Sequence, residues 1–164
     1  MRQTEQMEAM ATEESANTDI RSTIAGYPSI SSALLPTLHI TQREHGWLPS
    51  RAIEELAESL ELTSAHVKGV ATFHSMLNNK PVARNVIQLC TNIACMLFGA
   101  ESLLDLLKNR YGLEPGGISE DGRFSLVIME CIGLCDQAPA MLVNRDVHAR
   151  LTAQSIVEIL ESYD

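Results

Sequence analysis

The chain has 164 residues, with 21 acidic against 12 basic side chains, a net charge of -9 and a pI of about 5.0. That balance excludes a surface built to displace counterions from a phosphate backbone, and an aromatic content of 4% offers no base-stacking platform. No apolar run approaches the roughly 18 residues that a membrane span requires, so any link to a membrane is expected through another protein.

A chain of this length can bury roughly 70% of the surface its unfolded form exposes, and needs no cysteine to hold it together. The N-terminal stretch MRQTEQMEAMATEESANTD lacks the pattern of a signal peptide and that of an organelle transit peptide. The expected location is a bacterial cytoplasm, where reductants keep thiols unpaired and structural disulfides are rare.

Residues 1–19 are polar and acidic without apolar period, which predicts a loosely attached tail. Residues 20–80 are expected to form a helical bundle. From Ser31 the pattern is helical, with Leu34, Leu35 and Leu38 on one side and Gly46 as a stop, and Pro36 is tolerable only near the first turn. Pro49 and Ser50 announce a second helix that carries Ile53, Leu56, Ala57 and Leu60, and Ser64 to Val70 predicts a short third one. Trp47, the sole tryptophan, is read as a cap on this bundle.

NNKPVAR is a loop, and residues 81–164 form the second predicted domain. NVIQLC reads as a strand, AESLLDLLKNRY as a helix ended by Gly112, and RFSLVIME as a second strand. AMLVN and DVHAR are two shorter strands, and the last helix starts after Thr152. The order β-α-β-β-β-α predicts a mixed α/β fold, with a parallel pair joined by the helix and antiparallel pairs after it.

The four cysteines all fall in this second half. Cys90 and Cys95 have four residues between them, Cys131 and Cys135 have three, and each pair sits where a strand gives way to a loop. If the two strands are parallel, their C-terminal ends share one sheet edge and the four thiols converge. Convergence of that kind points to a shared metal site. Four-cysteine zinc sites use similar spacings, whereas thioredoxin-type exchange uses C-x-x-C, which neither pair has.

A [2Fe-2S] cluster on four thiolates carries a charge of -2, or -3 once reduced, and needs backbone N–H groups and a dry surrounding. Gly133 permits close backbone approach, Thr91 and Ala94 are small, and Ile93, Met96, Leu97, Ile132 and Leu134 are expected to keep water out. These features favour the buried redox cluster over an exposed zinc module. The histidines, His39, His45, His66, His74 and His148, are scattered and read as packed or surface groups. Met96, Met129 and Met141 read as soft core filler, and EPGGISEDG as a loop without a phosphate-cradling motif.

ALLPTLHITQREHGWLP, VKGVATFHSML, CTNIAC and ECIGLCDQAP together resemble the [2Fe-2S] subunit of bacterial NADH:quinone oxidoreductase, the E-type subunit of respiratory complex I. The same family includes the matching subunits of NAD-linked hydrogenases and formate dehydrogenases. The resemblance runs from about Ser31 to the C-terminus. It implies a thioredoxin-like ferredoxin fold after a helical bundle, with Cys90, Cys95, Cys131 and Cys135 as cluster ligands and no catalytic residue in this chain. It further implies that FMN and NADH sit on a partner subunit, and that the assembly lies at the cytoplasmic face of the inner membrane. His74, where the family usually has tyrosine, and Ala83, where glycine is usual, depart from the pattern without touching a ligand. A structural zinc module that only mediates assembly is the alternative of another class.

Overall fold

The computed structural model describes residues 18–163, so the expectation of a tail over residues 1–19 falls almost wholly outside the described residues. The chain divides into two compact units, one ending at Pro81 and the other starting at Val82.

The first unit is helical. Helix α1 covers residues 18–25, and α2 (Ile30–His45), α3 (Ser50–Ser59) and α4 (Ser64–Phe73) follow. Ser29 caps α2 by accepting the Ser32 N–H, and Gly46, at φ 76, closes it with an N–H to the Gln42 carbonyl. Pro36 lies inside α2, beyond the first turn where it was expected. The bond it forfeits is to Ser32, an exposed residue whose carbonyl water can satisfy. Leu34 and Leu38 of α2, Ile53, Leu56 and Ala57 of α3 and Val67 and Ala71 of α4 form the core, against which Ile20 and Ile24 of α1 pack. The Gln42 amide fastens the segment after α4 to α2, donating to the Met76 carbonyl and accepting the Asn78 N–H.

The second unit holds strands β1 (Asn85–Cys90), β2 (Phe124–Met129), β3 (Met141–Val143) and β4 (Asp146–His148) in the order β2-β1-β3-β4. β1 runs parallel to β2 and antiparallel to β3, and β3 is antiparallel to β4. All six residues of β1 are buried, as a central strand with neighbours on both sides requires. Between β1 and β2 come α5 (Ile93–Leu97) and α6 (Ala100–Tyr111), and α7 (Ala153–Glu161) closes the chain behind a Thr152 capping box. Ile87, Leu89, Phe124, Leu126, Met141 and Val143 face Leu103 and Leu107 of α6 and Ile156 and Leu160 of α7. Burying each such side chain contributes roughly 1.5–3 kcal/mol before the entropy cost of ordering it. Strand alternation puts Cys90 on the other face of β1 from Ile87 and Leu89, so the ligand candidate is set apart from the main core.

The glycine-rich EPGGISEDG stretch does more than connect. It folds back along β2, with Gly116 N–H to Leu126 O, Ser119 N–H to Phe124 O and a bridge between Ile118 and Ser125.

A polar clamp ties the C-terminal turn to the sheet. Tyr163 Oη donates to Asp146 Oδ2 at 2.8 Å, His148 Nε2 lies 3.1 Å from the same hydroxyl, and Arg123 donates to the Leu160 and Tyr163 carbonyls. Desolvation, then the bond to Asp146, push the Tyr163 phenol from 10.0 up to about 12. The folded protein therefore holds the neutral phenol more firmly than the unfolded chain does. The clamp's contribution is whole below pH 10 and is lost as pH rises toward about 12. Melting temperatures are expected to fall across that interval and to fall less in Tyr163→Phe; identical slopes in the two proteins would refute this.

Candidate metal centre

β1 delivers Cys90 at its last residue, and β2 ends at Met129, which is registered opposite Cys90, two residues before Cys131. Parallel pairing therefore carries the two cysteine-bearing segments off the same sheet edge, as the spacing predicts. Backbone bonds fix this edge on both sides: Cys90 N–H reaches the Ala140 carbonyl at 3.2 Å and Thr91 N–H the Met129 carbonyl at 3.1 Å.

Cys95 lies within α5, a five-residue helix capped by Asn92 and not foreseen from the spacing. Cys131 lies in the loop after β2, and Cys135 opens a short 3-10 turn, Cys135–Gln137. All four are free thiols; Cys90 and Cys95 are buried, Cys131 and Cys135 exposed.

Within each pair the thiols lie close enough to act on one another's ionisation, Cys90 on Cys95 and Cys131 on Cys135. Cys90 Sγ donates to the Glu130 carbonyl at 3.7 Å. Each pair also bears on the other electrostatically, Cys135 on Cys95 and Cys90 on Cys135. Ile132 packs against the small cluster of Cys90, Cys95 and Ala100. Among the described residues, no group of three or more His, Cys, Asp or Glu side chains closes around one ion-sized position.

Burial, then the neighbouring Cys90 thiol, push the Cys95 thiol up, while the Ala140 backbone works the other way. Cys135 is pushed up first by the neighbouring Cys131 thiol and then by burial. Crowded thiols resist ionising together unless a cation takes the protons' place. Four thiols carried off one sheet edge are a donor set of the chemical type that an iron-sulfur cluster takes.

Backbone donors are present as well. Gly133, at φ 79, directs its N–H to Cys131 Sγ at 3.4 Å, a conformation that side chains with a Cβ rarely adopt.

The expected apolar screen needs correction. Ile93, Leu97 and Phe98 are 75%, 80% and 68% exposed, and Met96 is exposed too; Ile132 and Leu134 are half-buried. α5 is too short to bury more than the Cys95 face, so its remaining apolar side chains meet solvent. Met141 is core, Met129 half-buried, and Met96 is not filler. Of the histidines, His74 Nδ1 donates to the Val70 carbonyl at 2.8 Å, and His148 belongs to the Tyr163 clamp.

Residues 20–164 match the family model for thioredoxin-like [2Fe-2S] ferredoxins. The second E-type subunit of NADH-quinone oxidoreductase from Rhizobium meliloti (strain 1021) is 40% identical over 145 residues, spanning 88% of this chain and 86% of the relative. The E-type subunit of the same oxidoreductase from Escherichia coli (strain K12) is 37% identical over 161 residues, spanning 98% and 95%. The NAD+-reducing [NiFe]-hydrogenase in its air-oxidised state is similar in structure, with a TM-score of 0.68 and 28% identity over 79% of this chain. This chain corresponds to only 22% of that longer one. No described helix is long and apolar enough to cross a membrane. With a family model matched from residue 20 to the C-terminus and relatives matched along most of their length, the chain belongs to the thioredoxin-like [2Fe-2S] ferredoxin family.

Proposed function

We propose that the chain is the electron-transfer subunit of an NADH:quinone oxidoreductase, carrying one [2Fe-2S] cluster on Cys90, Cys95, Cys131 and Cys135. The observation that supports this reading is the parallel register of β1 and β2, which brings the two cysteine-bearing segments off the same end of the sheet. When bound, the cluster would supply reversible one-electron transfer without bond making. The buried Cys90 and Cys95, anchored by β1 and α5, would hold it from the inner side, and the exposed Cys131 and Cys135 from the outer. Gly133 N–H and the Ala140 backbone meet sulfur and favour its charged form. No histidine is recruited.

The electron source is read as the flavin of an NADH-binding partner subunit, with FMN and NADH held there. The exposed Ile93, Leu97 and Phe98 beside Cys95 support a partner at this edge, since exposed apolar patches next to a redox site mark docking surfaces. The assembly would sit peripherally on the cytoplasmic face of the membrane through its other subunits. A hydrogenase host is the second reading, favoured by the 28% likeness to the NAD+-reducing enzyme.

Purification without oxygen, with iron and acid-labile sulfide measured beside visible and electron paramagnetic resonance spectra, tests the cluster. Two irons and two sulfides per chain are expected; a colourless protein with one zinc would sink the reading. The proteins that co-purify in the native complex distinguish the hosts. Asp136 bears on Cys135 electrostatically, so Asp136→Asn is expected to raise the reduction potential. The shift should be roughly 30 mV, the scale for one unit charge several ångströms away in near-aqueous surroundings. A redox titration showing no rise would dismiss that role.

A further inference from the structure

The two dithiols differ in a way that cluster binding alone does not use. Cys90 and Cys95 are 2% and 3% exposed, one in the central strand and the other in a short helix, and they share a small buried cluster with Ala100. Cys131 and Cys135 are exposed and lie four residues apart on a segment that turns back at Gly133, φ 79. A small oxidant reaches the second pair and not the first.

We propose that in the cluster-free chain Cys131 and Cys135 close to a disulfide that blocks cluster loading until a dithiol reductant reopens it. The loading half of this switch rests on the ligand assignment above, while the disulfide itself does not. The co-reactant is a low-molecular-weight disulfide, such as oxidised glutathione. Cys131, exposed and facing the Gly133 N–H, attacks one of its sulfurs and expels the first thiol. Cys135 then attacks the Cys131 sulfur of the mixed disulfide and expels the second. Two S–H bonds are lost and one S–S bond formed in the chain; the two electrons and two protons leave with the two small thiols.

Closure needs only a four-residue step within one loop. The alternative bond between Cys90 and Cys95 would pull the end of β1, held on both sides by backbone bonds, toward α5. Bonds across the pairs would also displace Ile132 from its packing against Cys90 and Cys95. The oxidised loop has no free sulfur left to offer the outer iron, so a chain awaiting iron and sulfide is protected from over-oxidation but is not loadable. Once a cluster is bound, all four sulfurs are occupied and the switch is out of play.

The test takes the full chain, freed of metal and reduced, and exposes it to oxidised glutathione before peptide mapping without reduction. Alkylation of Cys131 and Cys135 should be lost and a peptide linking them gained, with Cys90 and Cys95 alkylated only after unfolding. In Cys135→Ser, glutathione should remain attached at Cys131. A Cys90–Cys95 bond, a bond across the pairs, or a lasting glutathione adduct in the unaltered chain would overturn the proposal. In the second arm, ferrous iron and sulfide are added after the glutathione is removed. The oxidised chain should stay colourless and regain cluster uptake with dithiothreitol; uptake with the disulfide intact would overturn the blocking role. If the reduced chain also stays colourless, the ligand assignment and the loading half fail together, while the peptide map still decides the disulfide.

Discussion

Cys131→Ala is expected to abolish the reduced-cluster resonance signal while leaving the far-ultraviolet circular dichroism of the folded chain in place. A cluster on the remaining thiols would keep only three of its four protein ligands. The fold should survive because its core is built without the site. Ile87, Leu89, Leu107, Leu126 and Ile156 pack together with none of the four cysteines among them. Cys131 itself is exposed, so its own truncation belongs to the surface class of substitutions, usually within about 0.5 kcal/mol. His74→Ala should leave the signal intact, since that ring is spent on the Val70 carbonyl at the end of α4. A signal that persists in the cysteine variant, or vanishes in the histidine one, would overturn the ligand assignment.

The second large effect concerns assembly. Leu97→Glu combined with Phe98→Glu should keep the fold and the cluster but weaken binding to the proposed flavin-bearing partner by about a hundredfold or more, a hot-spot loss near 2.7 kcal/mol. Both side chains are already mostly in solvent, so the free protein loses little packing when they change. In the complex the same positions would bury two carboxylates beside an already negative site, where burial and like charge both oppose them. Titration of the cluster-loaded variant against the partner, alongside the unaltered protein, decides the matter. Equal affinities would remove α5 from the interface.

The two halves of the sheet edge were legible for a simple reason. NVIQLC and RFSLVIME are short apolar runs without alternation, the mark of buried parallel strands, and the stretch between them carries a helical period. From that pattern alone the cysteine-bearing ends had to meet. The helix over residues 18–25 was missed because only Ile20 and Ile24 mark its buried side. α5 was missed because five residues are too few to display a period. Its exposure was misjudged for a deeper reason: hydropathy says that Ile93, Met96 and Leu97 avoid water, but not whether their own chain or another covers them. Pro36 was misplaced because the rule against interior proline assumes that the orphaned carbonyl has no water, and Ser32 has. The pairing of the thiols was legible from their spacing, but the difference between a buried pair and an exposed one was not, since it depends on where a short helix and a loop return.

One margin of the sheet is already covered. Along β2, the stretch around Gly116 to Ser119 occupies the backbone groups. On the far side β4 is only three residues long, with Asp146 exposed at its start. So short an edge carrying a charge is a poor template for strand addition, the usual way in which an open sheet recruits a neighbour or an identical copy. A companion of this unit is steered toward side-chain contacts rather than toward pairing with the sheet.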